Sequence, residues 1–104
     1  MWAWNTSACA GWPTGSRADL GPFNTRPARP LLVIGNTHDP ATPLSGARAL
    51  ASLSPGARLL TVDAFGHVGL GRSGGVQRIA ARFLIDGVLP AEGASCSADK
   101  QPFG

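Results

Sequence analysis

The chain has 104 residues and a net charge of +3, with 43% hydrophobic and 14% charged residues. A chain of this length forms one domain at most, or part of a larger one. Its ordinary apolar fraction argues against a disordered protein. Its arginines are scattered and are not interleaved with aromatic residues. A nucleic-acid surface needs a clustered basic patch, so we expect no nucleic-acid partner.

Several other classes of protein are disfavoured by simple patterns. No apolar stretch approaches the roughly 20 residues that a membrane-spanning helix needs, so we expect no membrane partner. Residues 1–4 contain neither a positive segment nor a long apolar one, so no signal peptide is visible. The two cysteines, Cys9 and Cys96, are either bridged or free. No set of ligands suggests a metal site, and we expect no cofactor.

The chain divides into a lead-in and a body. Residues 1–29 are rich in Trp, Gly and Pro and show no helical or strand period, so we interpret them as an irregular lead-in. Its tryptophans, Trp2, Trp4 and Trp12, either line a substrate or pack against other parts of the fold, and we favour packing. Residues 30–104 form the body, because the periodic segments lie there.

The first half of the body predicts a βαβ unit. Residues 31–35 are continuously apolar, which is typical of a parallel strand covered on both faces. Thr42 and Pro43 predict the start of a helix, with Thr42 as its N-cap. The helix should end at residues 54–56, where Pro and Gly break it. A second apolar run, residues 58–62, predicts a second parallel strand with a right-handed crossover.

A second helix follows a glycine-rich loop. Its predicted core face carries Val76, Ile79, Ala80 and Phe83. Ser73 suits its N-cap and Gly87 its left-handed C-cap. We interpret residues 90–104 as a polar tail. Two strands and two helices cover neither face of a sheet fully and leave strand edges unpaired. We therefore expect an α/β fold with a βαβα order, incomplete as an isolated chain.

Two residues that follow the predicted strands suggest chemistry. Asp39 follows the first strand and His67 follows the second, and open α/β sheets place reactive groups at these strand ends. An Asp that orients a His forms two-thirds of a nucleophilic triad. The alternatives are that Asp39 only forms a turn and that His67 is an exposed loop residue. We favour the catalytic interpretation of both.

Three other residues compete for these roles. His38 adjoins Asp39, but neighbouring residues point in different directions, so we interpret it as a loop residue. Asp63 is too close in sequence to His67 and is better explained as a turn or cap residue. Residues 71–75 match Gly-x-Ser-x-Gly, but a nucleophile elbow lies directly between a strand and a helix and precedes the acid. We therefore interpret Ser73 as a helix cap.

Most of the chain resembles the C-terminal region of secreted bacterial tripeptidyl-aminopeptidase-like α/β-hydrolases, which are serine exopeptidases of the prolyl-aminopeptidase type. The resemblance extends from about Cys9 to Phe103. The residues that carry it are the run Gly35-Asn36-Thr37-His38-Asp39-Pro40-Ala41-Thr42-Pro43, the pair Gly66-His67, the run Gly87-Val88-Leu89-Pro90, Cys96, and the closing Asp99-Lys100-Gln101-Pro102-Phe103. It implies that Asp39 is the triad acid and His67 the triad base. It also implies a secreted or cell-envelope location and peptide or small amide or ester substrates.

Two departures from this family bear on function. No Gly-x-Ser-x-Gly elbow precedes Asp39, and Gly75 stands where the family tends to carry a cysteine. We therefore expect the C-terminal portion of a serine hydrolase that releases short N-terminal peptides, inactive on its own. An upstream serine-bearing portion of the same fold would be its partner. The alternative is a non-catalytic remnant or binding module derived from that fold.

Overall fold

A computed structural model describes residues 6–13, 15 and 21–103 of the chain. Within these residues a short 3₁₀ helix, Ser7–Cys9, precedes the α/β body. The body consists of β1 (Leu32–His38), α1 (Leu44–Leu53), β2 (Arg58–Phe65), α2 (Gly74–Asp86) and β3 (Ser95–Ser97). Trp2 and Trp4 lie outside the described residues, and Trp12 is exposed. The division at residue 30 stays a prediction.

The strands form one parallel sheet in the order β1-β2-β3. Ile34 of β1 lies opposite Leu60 of β2, and Val62 of β2 lies opposite Cys96 of β3. The register shifts near the end of β1, where His38 lies opposite Phe65. All strands therefore end at the same edge of the sheet, as the predicted α/β class requires.

Each face of the sheet is covered by one helix. Side chains alternate along a strand, so Gly35 and Leu59 face α1, whereas Leu60 and Val62 face α2. A Cβ on Gly35 would lie 2.8 Å from both Ala47 Cβ and Leu44 Cδ1, so α1 contacts the backbone of β1 directly. This close approach requires glycine at position 35.

The core lies between β2 and α2. Its buried cluster consists of Leu60, Val62, Ala64 and Val76, with Leu32, Ile34, Ile79, Ala94, Cys96 and Ala98 packed against it. The predicted caps of α2 are confirmed. The Ser73 hydroxyl accepts the N–H of Val76, and Gly87 adopts the left-handed conformation with φ 70°.

Three expectations about the limits and number of the helices and strands were wrong. Thr42 does not cap α1, because the helix begins at Leu44 with Pro43 at the N-cap position and no side-chain cap bond. Both long strands extend three residues beyond their apolar runs, because ladder pairing continues through polar positions. The predicted tail also contains β3, which pairs with β2 through residues 61–63.

The sheet and helices leave apolar surface uncovered. In the described part of the chain, β1 and β3 each pair only with β2, so each has an open edge. Leu84 and Ile85 on α2 are 78% and 81% exposed. These features confirm the expected α/β fold that is incomplete as an isolated chain. Among the described residues, no helix is long and apolar enough to cross a membrane.

Candidate active site

Asp39 lies immediately after β1 in a turn that its own carboxylate stabilises. The backbone N–H groups of Ala41 and Thr42 donate to its Oδ1 at 2.8 and 2.9 Å. The hydroxyl of Thr42 donates to its Oδ2 at 2.7 Å. These bonds hold the carboxylate in one orientation at the end of the strand, with its side chain only 4% exposed.

The same bonds keep Asp39 ionised. Hydrogen bonds to a carboxylate favour its charged form. The backbone N–H of Thr42 is the largest cause that lowers the pKa of Asp39, and burial opposes it. The Thr42 hydroxyl, His67 and the backbone of Ala41 lower it further, so that the pKa lies well below the usual carboxyl range. Asp39 is therefore an anion at neutral pH.

His67 meets this carboxylate from the other strand. Its Nδ1 lies 2.9 Å from Asp39 Oδ2. An ionised carboxylate only accepts hydrogen bonds, so Nδ1 must carry the proton of a neutral ring. Nε2 is then left with its lone pair. The side chain of His67 is 54% exposed, so a group that does not belong to this chain can reach it.

The loop that carries His67 is fixed by β1. The N–H of Gly66 donates to His38 O at 3.0 Å, and the side-chain amide of Asn36 donates to Gly66 O at 2.8 Å. The backbone N–H and carbonyl of Gly66, which precedes His67, are thus both bound to β1. Because Asp39 follows that same strand, one element positions the acid and the loop of the base.

Arg72 and Gly69 fix the far side of the loop. The Arg72 guanidinium donates to His67 O at 3.0 Å and to Val68 O at 3.2 Å. A Cβ on Gly69 would lie 2.6 Å from Ile34 Cγ2, so the loop backbone rests directly on the sheet. Val68 has φ 71°, which is rare for a β-branched residue, so the chain is strained beside His67.

A shallow cavity of about 250 Å³ adjoins the pair. Asp39, Thr42 and His67 line it together with a mostly apolar set, namely Ile34, Asn36, Val68, Gly69 and Leu70. A larger cavity, about 500 Å³, lies at the end of α2 beside Phe83 and Ile85 and includes neither member of the pair. The smaller cavity is the one of these two that the Asp39–His67 pair lines.

The competing residues lie outside this arrangement. Ser73 is 2% exposed, and its hydroxyl accepts the N–H of Val76. His38 is the last residue of β1 rather than a loop residue, as was expected, and stacks on Phe65 with a centroid distance of 4.2 Å. Asp63 lies within β2 rather than in a turn or cap, as was expected, and accepts a hydrogen bond from the Thr37 hydroxyl at 3.0 Å. The structure therefore brings Asp39 and His67 together and leaves the alternatives in local structural contacts.

Thr42 is the site residue that the sequence did not reveal. It was interpreted as a helix cap, but its hydroxyl contacts Asp39 and lies 3.2 Å from His67 Nδ1. The spacing was a usable signal, because an Asp side chain readily binds the backbone two or three residues onward. A Thr three residues after the Asp is therefore within reach of the carboxylate.

The described residues contain no group of three side chains that could hold a metal ion. Cys9 is exposed and Cys96 half-buried, and both are free thiols. The structure thus has no disulfide between Cys9 and Cys96.

A family model described as "TAP-like protein" matches residues 1–96. Serine protease Hip1 of Mycobacterium tuberculosis is 32% identical over 89 residues, which cover 85% of this chain and 17% of that protein. Carboxylesterase B of the same species is 31% identical over 90 residues, covering 86% of this chain and 17% of that protein. The chain thus spans about a sixth of the length of these curated relatives. No solved structure gives a significant match.

Proposed function

The chain belongs to the TAP-like family of α/β-hydrolases, and we propose that it supplies the acid and the base of a serine hydrolase site. The single observation that carries this proposal is the 2.9 Å contact between Asp39 Oδ2 and His67 Nδ1. In a triad the acid binds this nitrogen, and the other ring nitrogen faces the nucleophile.

The proposed reaction follows from the tautomer of His67, in which Nδ1 carries the proton and Nε2 carries the lone pair. A serine hydroxyl from a portion outside these 104 residues approaches His67 Nε2, which removes its proton as the oxygen attacks the acyl carbon. The carboxylate of Asp39 stabilises the resulting imidazolium. His67 then returns the proton to the leaving amine or alcohol. In the second half of the reaction His67 removes a proton from water, which attacks the acyl-enzyme. The serine then leaves with the proton from His67, and the carboxylic acid product is released.

The substrate class is proposed as peptides or small amides and esters. The named relatives, a serine protease and a carboxylesterase, both cleave acyl bonds. The sequence resemblance to tripeptidyl-aminopeptidase-like enzymes favours release of short N-terminal peptides among these reactions. That resemblance also suggests a secreted or cell-envelope protein.

The proposed partner is a serine-bearing portion of the same fold, either on one polypeptide or on a separate one. Two features of this chain support it. The open edge of β1 offers unpaired backbone groups beside Asp39. Leu70 and Val68, both half-exposed, line the cavity next to His67. A segment that brings a hydroxyl to Nε2 would cover these apolar side chains.

A chimera tests the proposal. This chain would replace the matching 89-residue segment of serine protease Hip1. We would measure labelling by a fluorophosphonate probe and hydrolysis of peptide and ester substrates. We expect activity that falls by at least about 10³-fold in His67→Ala and Asp39→Asn, since triad members act as a unit. His38→Ala is the matched control and should keep the activity of the unsubstituted chimera.

Two results would contradict the proposal. One is a folded, active chimera whose turnover is unchanged by His67→Ala. The other is a folded chimera that neither reacts with the probe nor turns over substrate, which would favour the non-catalytic remnant. Circular dichroism and the elution volume on size exclusion establish whether each chimera is folded.

A further inference from the structure

Thr42 supplies two of the four hydrogen bonds to the Asp39 carboxylate. Its backbone N–H donates to Oδ1 at 2.9 Å, and its hydroxyl donates to Oδ2 at 2.7 Å. Ala41 and His67 supply the other two. Both oxygens of the acid are thus held by the same residue. This arrangement fixes the rotation of the carboxylate as well as its position.

The hydroxyl of Thr42 also faces the base. Its oxygen lies 3.2 Å from His67 Nδ1. A hydroxyl has one hydrogen, and the short contact assigns that hydrogen to Asp39, so the oxygen presents a lone pair to the ring. A lone pair at this distance accepts a hydrogen bond from a protonated Nδ1 and repels an unprotonated nitrogen.

We propose that Thr42 is a positioning residue of this site, which orients the Asp39 carboxylate and enforces the Nδ1-protonated tautomer of His67. The protonated Nδ1 has two acceptors, Asp39 Oδ2 and Thr42 Oγ1. Nε2 is left as the only basic position of the neutral ring. The effect on catalysis rests on the proposed function, whereas the effect on His67 itself does not.

A structural role in α1 does not account for this geometry. The helix begins at Leu44, and its N-cap residue is Pro43, with no side-chain cap bond. The Thr42 hydroxyl is therefore free of the capping role that a threonine before a helix usually has. Its two contacts both belong to the acid–base pair.

The test uses the isolated 104-residue chain and NMR. Ring ¹⁵N shifts report the tautomer of His67, and the carboxyl ¹³C shift reports the titration of Asp39. Thr42→Val replaces the hydroxyl by a methyl group of similar size. We expect the Nε2-protonated form of His67 to increase and the Asp39 midpoint to move up towards the ordinary carboxyl range. Thr42→Ser keeps the hydroxyl and should restore both signals.

Thr37→Val is the matched control. Thr37 also donates its hydroxyl to an aspartate, Asp63 at 3.0 Å, but away from His67. This variant should leave the His67 tautomer and the Asp39 titration unchanged. Unchanged signals in Thr42→Val, or no rescue in Thr42→Ser, would overturn the proposal.

The chimera with serine protease Hip1 separates this inference from the proposed function. If Thr42→Val alters His67 in the isolated chain and the chimera is inactive, the positioning role stands and the hydrolase proposal fails. If the chimera is active and Thr42→Val changes neither His67 nor kcat, the hydrolase proposal stands and the positioning role fails.

Discussion

A Cβ placed on Gly75 would lie 3.1 Å from the Sγ of Cys96 and 3.7 Å from its Cβ. The Cβ atoms of a disulfide are typically about 3.8 Å apart, so these two positions have the separation of a bridged pair. The sequence resemblance implied a cysteine at position 75, and this chain has glycine there. Cys96 is correspondingly a free thiol.

We predict that Gly75→Cys forms a disulfide with Cys96 without displacing the backbone. Gly75 lies in the first turn of α2 and Cys96 in β3, so the bond would join the helix to the edge strand. The closed loop of roughly 20 residues should stabilise the fold by about 3 kcal/mol in the chain-entropy estimate. Urea unfolding with and without a reductant measures this difference.

Gly74→Cys is the control for this bridge. A Cβ on Gly74 would meet Arg78 and Asp99 within 4 Å rather than Cys96. It should therefore keep two more titratable thiols than oxidised Gly75→Cys. Equal thiol counts in the two variants would show that the side chains at positions 75 and 96 do not meet.

Gly35→Ala and Gly46→Ala should change stability in opposite directions. The new methyl group at position 35 would lie 2.8 Å from Ala47 Cβ, so α1 would have to move away from β1, and we expect a loss of about 1–3 kcal/mol. A methyl group at position 46, which lies on α1 next to Ala47, meets nothing within 4 Å. There we expect a gain of about 0.5–1 kcal/mol from helix propensity. Chemical denaturation of both variants compares them directly, and two changes of the same sign would contradict this packing.

The contrast between β1 and β3 shows how far the sequence could predict this fold. The strand β1 has an apolar run, and such a run predicts a buried parallel strand whatever lies beside it. The strand β3 reads Ser95-Cys96-Ser97, which has no such pattern. Its structure depends on the β2 backbone, where Thr61 N donates to Ala94 O at 3.1 Å and Ala98 N donates to Asp63 O at 2.9 Å. Local sequence does not encode a partner of this kind.

The candidate site shows the same limit. Asp39 and His67 were predictable because each follows a strand, and parallel strands bring their ends together. The contact of Thr42 with Asp39 and His67 could not be predicted, because a threonine just before a helix also suits the N-cap position. The choice between these roles depends on the turn at Pro40, whose geometry brings the hydroxyl to the carboxylate rather than to the helix.

The stability of the chain should fall in acid partly because of Asp39. Its pKa is lowered in the folded state from the ordinary value of 3.8. A carboxyl whose folded pKa is lowered stabilises the fold fully above the unfolded value, and this contribution is lost as pH falls towards the folded value. Thermal unfolding followed from neutral pH to below 3.8 should therefore show a falling Tm.

Asp39→Asn should flatten this acid dependence, because the variant has no proton to take up at that position. Asp86→Asn, at the exposed end of α2, is the matched control and should keep the wild-type slope below pH 3.8. A slope in Asp39→Asn as steep as in the wild type would mean that other carboxyl groups cause the acid sensitivity.

Ser73→Ala separates the two interpretations of the Gly-x-Ser-x-Gly match. The Ser73 hydroxyl accepts the Val76 N–H at 3.1 Å and is buried, so its loss leaves a helix terminus unpaired and should cost about 1 kcal/mol of stability. Ser52→Ala is the control, because its hydroxyl donates to the Arg48 carbonyl within α1, where removal costs little. Urea unfolding compares the stabilities of Ser73→Ala and Ser52→Ala.

The isolated wild-type chain should show no labelling by a fluorophosphonate probe, because the buried Ser73 hydroxyl already accepts a helix N–H. Labelling that disappears in both Ser73→Ala and His67→Ala would instead make Ser73 the nucleophile, and the site would then need no partner.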